Sequence, residues 1–124
     1  EVFNKIWKSL TDINSPVIVE GKRDTKALRN LGFSGIIIEL NDGNSVLSTV
    51  EHIVHRFGRR SIFVVLTDWD RTGGSLAKQL KKYGESCDLI PNLLIRQKLS
   101  VLSSKDITCI EELPTFVSTL KSEI

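Results

Sequence analysis

The stretch Ser61-Ile62-Phe63-Val64-Val65-Leu66-Thr67-Asp68-Trp69-Asp70-Arg71-Thr72-Gly73-Gly74 decides how the chain folds. Ser61 to Thr67 is apolar at its centre and too short for a helix, so it reads as a buried strand, the third and longest of the chain. Two acids follow directly. Gly73 and Gly74 then open a helix to Tyr83 with Leu76, Ala77 and Leu80 on its inner face.

Outward from this stretch the alternation of strand and helix repeats. Upstream, Val17-Ile18-Val19 is a short β-branched strand that stops at Glu20 and Gly21. Lys22 to Leu31 follows as a helix with Ala27, Leu28 and Leu31 as its stripe and Asn30 and Gly32 near its end. Ile36 to Leu40 is the second strand. After a turn at Asn41, Asp42 and Gly43, a helix from about Asn44 to Phe57 buries Val46, Leu47, Val50, Ile53, Val54 and Phe57. At the start, Val2 to Leu10 spaces Phe3, Ile6, Trp7 and Leu10 as an amphipathic helix that ends before Asn14, Ser15 and Pro16. Downstream, a short fourth strand is expected around Cys87 to Ile90. Helices follow near Asn92 to Leu102 and Ile110 to Leu120, punctuated by Pro91 and Pro114. This pattern predicts an α/β fold, Rossmann-like, with a central, mainly parallel four-stranded sheet and helices on both faces.

A chain of 124 residues makes one domain, with a core of about 16–90 and a helical C-terminal extension of about 91–124. Its 40% apolar and 26% charged composition excludes disorder, collagen-like repeats and a disulfide scaffold. No apolar run approaches the ~18 to 20 residues of a membrane span and no signal peptide is evident, which places the protein in the cytoplasm, away from membranes. The absence of methionine implies a removed initiator or missing upstream sequence. Cys87 and Cys109 lack zinc-ligand spacing and are expected to be buried free thiols.

A formal net charge of +2 names no partner, but its distribution does. Lys22, Arg23, Lys26 and Arg29 cluster against Asp24; Arg71, Lys78, Lys81 and Lys82 run with no acid between them; Arg56, Arg59 and Arg60 form a third group. Clustered cations are what a polyphosphate partner needs, although solvated helix faces carry the same pattern.

In a parallel α/β sheet, right-handed crossovers send the carboxyl ends of the strands to one edge, where ligands bind. Glu20 follows the first strand, and Asp68 and Asp70 the third. An i, i+2 spacing in extended chain turns both aspartates to one side and Trp69 away, so the two carboxylates can converge on a cation. Hard oxygen ligands suit magnesium or manganese rather than zinc. The competing role for the aspartates is capping the helix that follows, and Glu20 alone could be a surface acid in a tight turn.

Val17-Ile18-Val19-Glu20-Gly21, with Asp24 and Leu28 beyond, resembles the first motif of the Toprim domain. That domain occurs in bacterial-type primases, type IA and type II topoisomerases, recombination proteins and small RNA-processing nucleases. Asp68-Trp69-Asp70-Arg71-Thr72-Gly73 resembles its second motif, DxDxxG after the third strand. The likeness runs from about Pro16 to Ile90. It implies that Glu20 lies beside Asp68 and Asp70 and acts as a general acid or base in phosphodiester chemistry. It further implies that Asp68 and Asp70 hold Mg2+, or Mn2+, with Asp24 assisting; Asp24 could equally complement the helix dipole. Lys22, Arg23, Arg71 and Lys78 are then candidates to hold nucleic-acid phosphates. Gly73 and Gly74 could present amides to a phosphate, and Trp69 could stack on bases, whereas Trp7 is expected to pack in the core rather than stack. His52 and His55 fall on the polar side of their helix, away from the strand ends.

Tyr83 is the only tyrosine, and the chain has room for neither a strand-passing gate nor the extra modules of a full primase. The remainder resembles small standalone archaeal-type Toprim proteins related to 5S ribosomal RNA maturation endonucleases, a likeness shared by the tail Pro91-Asn92, Arg96, Leu99 and Ile110-Glu111-Glu112-Leu113-Pro114. The expected function is Mg-dependent endonuclease cleavage of structured RNA, favoured over DNA, in rRNA precursor processing, with ribosomal proteins or a ribosomal subunit as possible partners. The alternatives are a non-catalytic rRNA- or ribosome-binding module and a primase-like nucleotidyltransferase.

Overall fold

Val17–Val19 (β1), Ile37–Glu39 (β2), Ile62–Val65 (β3) and Ile90–Asn92 (β4) pair into one sheet in a computed structural model that describes residues 2–40 and 45–122. The order is β2-β1-β3-β4 and every pair is parallel, with Val17 in register with both Ile37 and Val64, and Phe63 with Pro91. Among the described residues six helices surround it: α1 (Val2–Asp12), α2 (Lys22–Asn30), α3 (Val46–Phe57), α4 (Arg71–Ser86), α5 (Leu94–Ser103) and α6 (Leu113–Ser122). A 3-10 turn, Ile110–Glu112, leads into α6.

The connectivity dictates which face each helix covers. From β1 the chain moves outward through α2 to β2, then turns back through α3 to β3 and onward through α4 to β4. Right-handed crossovers in opposite directions must lie on opposite faces. The side chains agree. Val17, Val19, Val64 and Leu66 point into a core built with α1, α2, α5 and α6 through Phe3, Leu10, Leu28, Leu99 and Phe116. Ile18, Phe63 and Val65, one residue out of phase, point the other way against Val50, Ile53, Ala77 and Leu80 of α3 and α4. Each fully buried side chain of this size stabilises the fold by roughly 1.5 to 3 kcal/mol. The segment beyond β4 is thus built into the first core, where α1 packs on α5 and α2 on α6.

The expected fourth strand is displaced by three residues, from Cys87–Ile90 to Ile90–Asn92. The helix before it runs on to Ser86, and Cys87, Asp88 and Leu89 close its last turn, with the Leu89 N–H donating to Gly84 O (2.9 Å) and Asp88 at φ 63°. Pro91 therefore lies within β4 instead of ending it. An edge strand tolerates this, because β4 pairs only with β3 and a missing N–H can face outward. Helix α4 also begins earlier than Gly73, because Asp70 caps it. Leu47 is exposed instead of buried, while Val50 and Ile53 carry the apolar face of α3. The turn expected at Asn41, Asp42 and Gly43, and the helix start at Asn44, lie outside the described residues. Pro114 sits in the first turn of α6, where its missing N–H has no intrahelical role. Cys87 and Cys109 are free, as expected, but half-buried. Among the described residues no helix is long and apolar enough to cross a membrane.

Gly84 lets α4 lie against β3: a Cβ there would come within 2.8 Å of the ring of Phe63, which is fully buried and has nowhere to move. Gly84→Val is expected to destabilise the protein by about 1 to 3 kcal/mol, read as a lower urea midpoint with unchanged slope.

Candidate metal centre

The reversal of direction between β1 and β3 makes their carboxyl ends a switch point, where α2 leaves to one face and α4 to the other, so that no crossover covers the crevice between them. Glu20 leaves β1 at this crevice and Asp68 and Asp70 follow β3. One oxygen from each of these three carboxylates lies within 4.8 Å of the others. The three are the ones that strand ends and i, i+2 spacing predict.

Each carboxylate is aimed by a backbone amide. The Asp68 N–H donates to Glu20 Oε2 at 2.8 Å, which ties the end of β1 to the end of β3. The Ile110 N–H donates to Asp68 Oδ1 at 2.9 Å, and the Gly73 N–H donates to Asp70 Oδ1 at 2.7 Å. In every case the fold fixes one oxygen through a backbone N–H. Capping and ligation are therefore compatible for Asp70.

Gly73 is required by the same turn. A Cβ there would drive into the Asp68 carbonyl, backbone that cannot yield. The Thr67 hydroxyl, fully buried, donates to Gly73 O at 2.8 Å and closes the loop. The Gly73 N–H is taken by Asp70 Oδ1 and the Gly74 N–H by Asp70 O (2.9 Å), so the expectation that these glycines offer amides to a phosphate fails.

Asp24 stands apart from the gathered oxygens. It is buried in the first turn of α2, where Oδ2 accepts the Gly21 N–H at 3.1 Å, so its place is that of a helix-capping acid beside the centre. Lys22 and Arg23 line a cleft of about 960 Å³ that opens from Glu20 and Asp68 toward Leu40, Val46 and Gln79. Arg23 makes an exposed 3.6 Å ion pair with Glu111. Arg71 and Lys78 are exposed on α4 and do not line that cleft. Trp69 is turned away from the acids as expected, but its indole N–H donates to Ile107 O and its own N–H to Thr108 O, both at 2.8 Å, so it anchors the turn and is not free to stack on a base. His52 and His55 are exposed on α3.

The tail contributes what the acidic motifs could not announce. Arg96 of α5 donates through Nε to Thr67 O (2.9 Å) and through Nη2 to Asp68 O (2.6 Å), and the segment before α6 supplies the Ile110 amide. The tail's likeness to the small Toprim proteins includes Arg96 and Ile110 but gives neither a role: a backbone donor leaves no trace in sequence, and an arginine on a helix announces no target.

Electrostatics follow from crowding. Burial pushes the Glu20 carboxyl above the usual range, with the charges of Asp68, Asp70 and Asp24 adding to the rise against the Asp68 N–H bond. Burial likewise raises Asp68, opposed by the Ile110 amide and reinforced by Asp70. Burial and then the Asp68 charge lift Asp24 to about 6. Burial and the bond to Glu112 push the Cys109 thiol up to about 12, which makes it a poor nucleophile or ligand.

No family model matches the chain. It is 45% identical over 105 residues to a UPF0292 protein of Methanosarcina barkeri, covering 85% of this chain and 71% of that one. It is 38% identical over 112 residues to a UPF0292 protein of Methanosarcina acetivorans (86% and 72% covered) and 36% over 111 residues to one of Thermococcus onnurineus (90% and 80%). The protein is thus an α/β protein with an acidic centre at its switch point, and the chain belongs to the UPF0292 family. A solved structure, a putative protein from Aquifex aeolicus, shares the fold at a TM-score of 0.71 and 23% identity, covering 88% of this chain and 95% of that one.

The raised carboxyls give a signed pH dependence. An acid whose folded pKa lies above its unfolded value holds its proton more tightly in the folded state. Its contribution to stability is then fully present below the unfolded pKa of about 4 and is lost as pH rises through the folded value, about 6 for Asp24. In chelator, the melting temperature is expected to be higher at pH 5 than at pH 7.5. Asp24→Asn, whose amide oxygen can still accept from Gly21, should narrow that difference; an unchanged difference in thermal melts would contradict the assignment.

Proposed function

We propose that the protein is a Mg-dependent Toprim endonuclease that hydrolyses phosphodiester bonds in structured RNA, acting in the cytoplasm on ribosomal RNA precursors. The observation that carries this reading is the convergence of three carboxylates at the switch point, each with one oxygen fixed by a backbone amide. The donor set is all oxygen, which suits Mg2+ or Mn2+. The likeness of the Glu20 and Asp68-Asp70 segments to the two Toprim motifs supports the same reading.

Glu20, Asp68 and Asp70 would hold the ion, with Asp24 next to them. A bound Mg2+ supplies neutralisation of phosphate charge and a more acidic water. Glu20 carries the proton transfer: its carboxyl lies at the open crevice beside the two aspartates, with one oxygen fixed by the Asp68 N–H. Lys22 and Arg23, at the first turn of α2 on the cleft wall, meet the phosphates on one side of the scissile bond. Arg71 and Lys78, exposed on α4, extend the contact to phosphates farther along the strand. Ribosomal proteins or a ribosomal subunit would be encountered where such a substrate is processed.

Purified protein is to be incubated with labelled 5S rRNA precursor and with single- and double-stranded DNA, in Mg2+, in Mn2+ and in chelator. Cleavage of RNA alone is expected, abolished by chelator and by Asp68→Ala and reduced about 100-fold or more in Glu20→Gln. Tight RNA binding without cleavage in either metal, unaffected by Asp68→Ala, would replace the enzyme reading with an rRNA-binding module, and nucleotide-dependent product growth would indicate a transferase.

A further inference from the structure

The β1 and β3 ladder ends at Ile18 and Val65, and the Leu66 N–H makes the last bond across to Ile18 O. The next two carbonyls, of Thr67 and Asp68, lie past the reach of any strand, at the point where the backbone must turn so that both aspartates face the crevice. A carbonyl left there without a donor would cost free energy and would let the turn vary. Both are bound by one side chain, Arg96, through two nitrogens of a rigid planar group. The guanidinium is half-buried; burial lowers its pKa, and the charges of Asp68, Glu20 and Asp70 oppose that by favouring its cationic form.

We propose that Arg96 is the positioning residue of the acidic centre: it fixes the Thr67–Asp70 turn from behind, and so sets the separation of the carboxylates that face the cation. The proposal rests on the metal reading above and adds to it a residue that touches neither cation nor substrate. Three features of the turn depend on the position of the Asp68 backbone that Arg96 holds. The Asp68 N–H aims Glu20, the Asp68 carbonyl packs against the Cβ-less Gly73, and Gly73 in turn aims Asp70. A shift of Asp68 therefore misplaces all three carboxylates together. A lysine at 96 would keep the charge and most of the packed stem, but a single ammonium cannot reproduce the fork across two consecutive carbonyls.

The experiment measures Mn2+ affinity by calorimetry, and thermal melts in chelator, for the wild type, Arg96→Lys, Arg96→Gln and, as a control, Asp68→Asn. The expected result is Mn2+ binding to the wild type that weakens by about tenfold or more in Arg96→Lys while its melting temperature in chelator stays within a few degrees. Arg96→Gln, with neither charge nor fork, is expected to bind more weakly still. Mn2+ affinity in Arg96→Lys within twofold of the wild type overturns the proposal and leaves charge alone as the contribution of Arg96. Loss of the folded transition in both variants overturns it too, by making Arg96 a purely structural residue. Absence of Mn2+ binding in the wild type overturns the metal reading itself, an outcome visible before any variant is compared.

Discussion

Two half-buried carboxylates, Glu20 and Asp68, and the exposed Asp70 crowd together at the ends of two adjacent parallel strands and repel one another, and the rest of the site is arranged around that repulsion. Burial weakens the screening that water would provide, so Glu20 and Asp68 are pushed toward their protonated forms. The fold answers with fixed dipoles: amides from Asp68, Gly73 and Ile110 each meet one carboxylate oxygen. These amides come from three different parts of the chain, namely the β3–α4 turn, the first turn of α4 and the 3-10 turn ahead of α6. Arg96 adds a formal positive charge from a fourth. The three carboxylates stay gathered at the crevice, the arrangement on which the proposed metal reading rests.

The sheet order makes that concentration of charge possible. Because β1 and β3 are neighbours whose crossovers leave to opposite faces, the crevice between their ends is open while both strands are buried on either side. Rigid, fully buried strands hold the backbone of Val19 and Leu66, and the acids begin one or two residues later, with little chain left to flex. The layer formed by α1, α5 and α6 closes one face and also delivers the donors that orient Asp68. The C-terminal third is therefore part of how the site is built as well as part of the core.

Much of this was legible in the sequence because it depends on local pattern. Val17-Ile18-Val19 and Ile62 to Val65 are short β-branched runs, and the helices between them carry clear stripes, so the parallel sheet with helices on both faces follows from periodicity. Asp68 and Asp70 are legible from their i, i+2 spacing at a strand end, and Glu20 beside them from its likeness to the first Toprim motif. The failures have equally physical causes. The fourth strand lies beyond the expected Cys87–Ile90 because Pro91, which as punctuation would end it, is admitted by an edge strand, and the turn at Asp88, at positive φ, carries the chain past the expected start. Gly73 was read as an opening for phosphate, whereas it is small to clear the Asp68 carbonyl. Arg96 and the Ile110 amide act across 28 and 42 residues of chain, and long-range bonds of this kind have no local signature.

The spacing of Asp68, Asp70 and Gly73 answers to two demands at once. As ligands, the aspartates need an i, i+2 separation so that extended backbone turns both to one side. As structure, Asp70 needs an amide three residues on to cap α4, and the residue that supplies it must lack a Cβ because it lies on the Asp68 carbonyl. Thr67 completes the same loop through its buried hydroxyl. A helix cap and a cation ligand are usually weighed as rival explanations for an acid in this position. Here one oxygen of Asp70 is fixed by Gly73, so under the proposed metal reading the cap would be the means by which the ligand is aimed, and the charge it concentrates at the start of α4 is partly offset by that helix's own dipole.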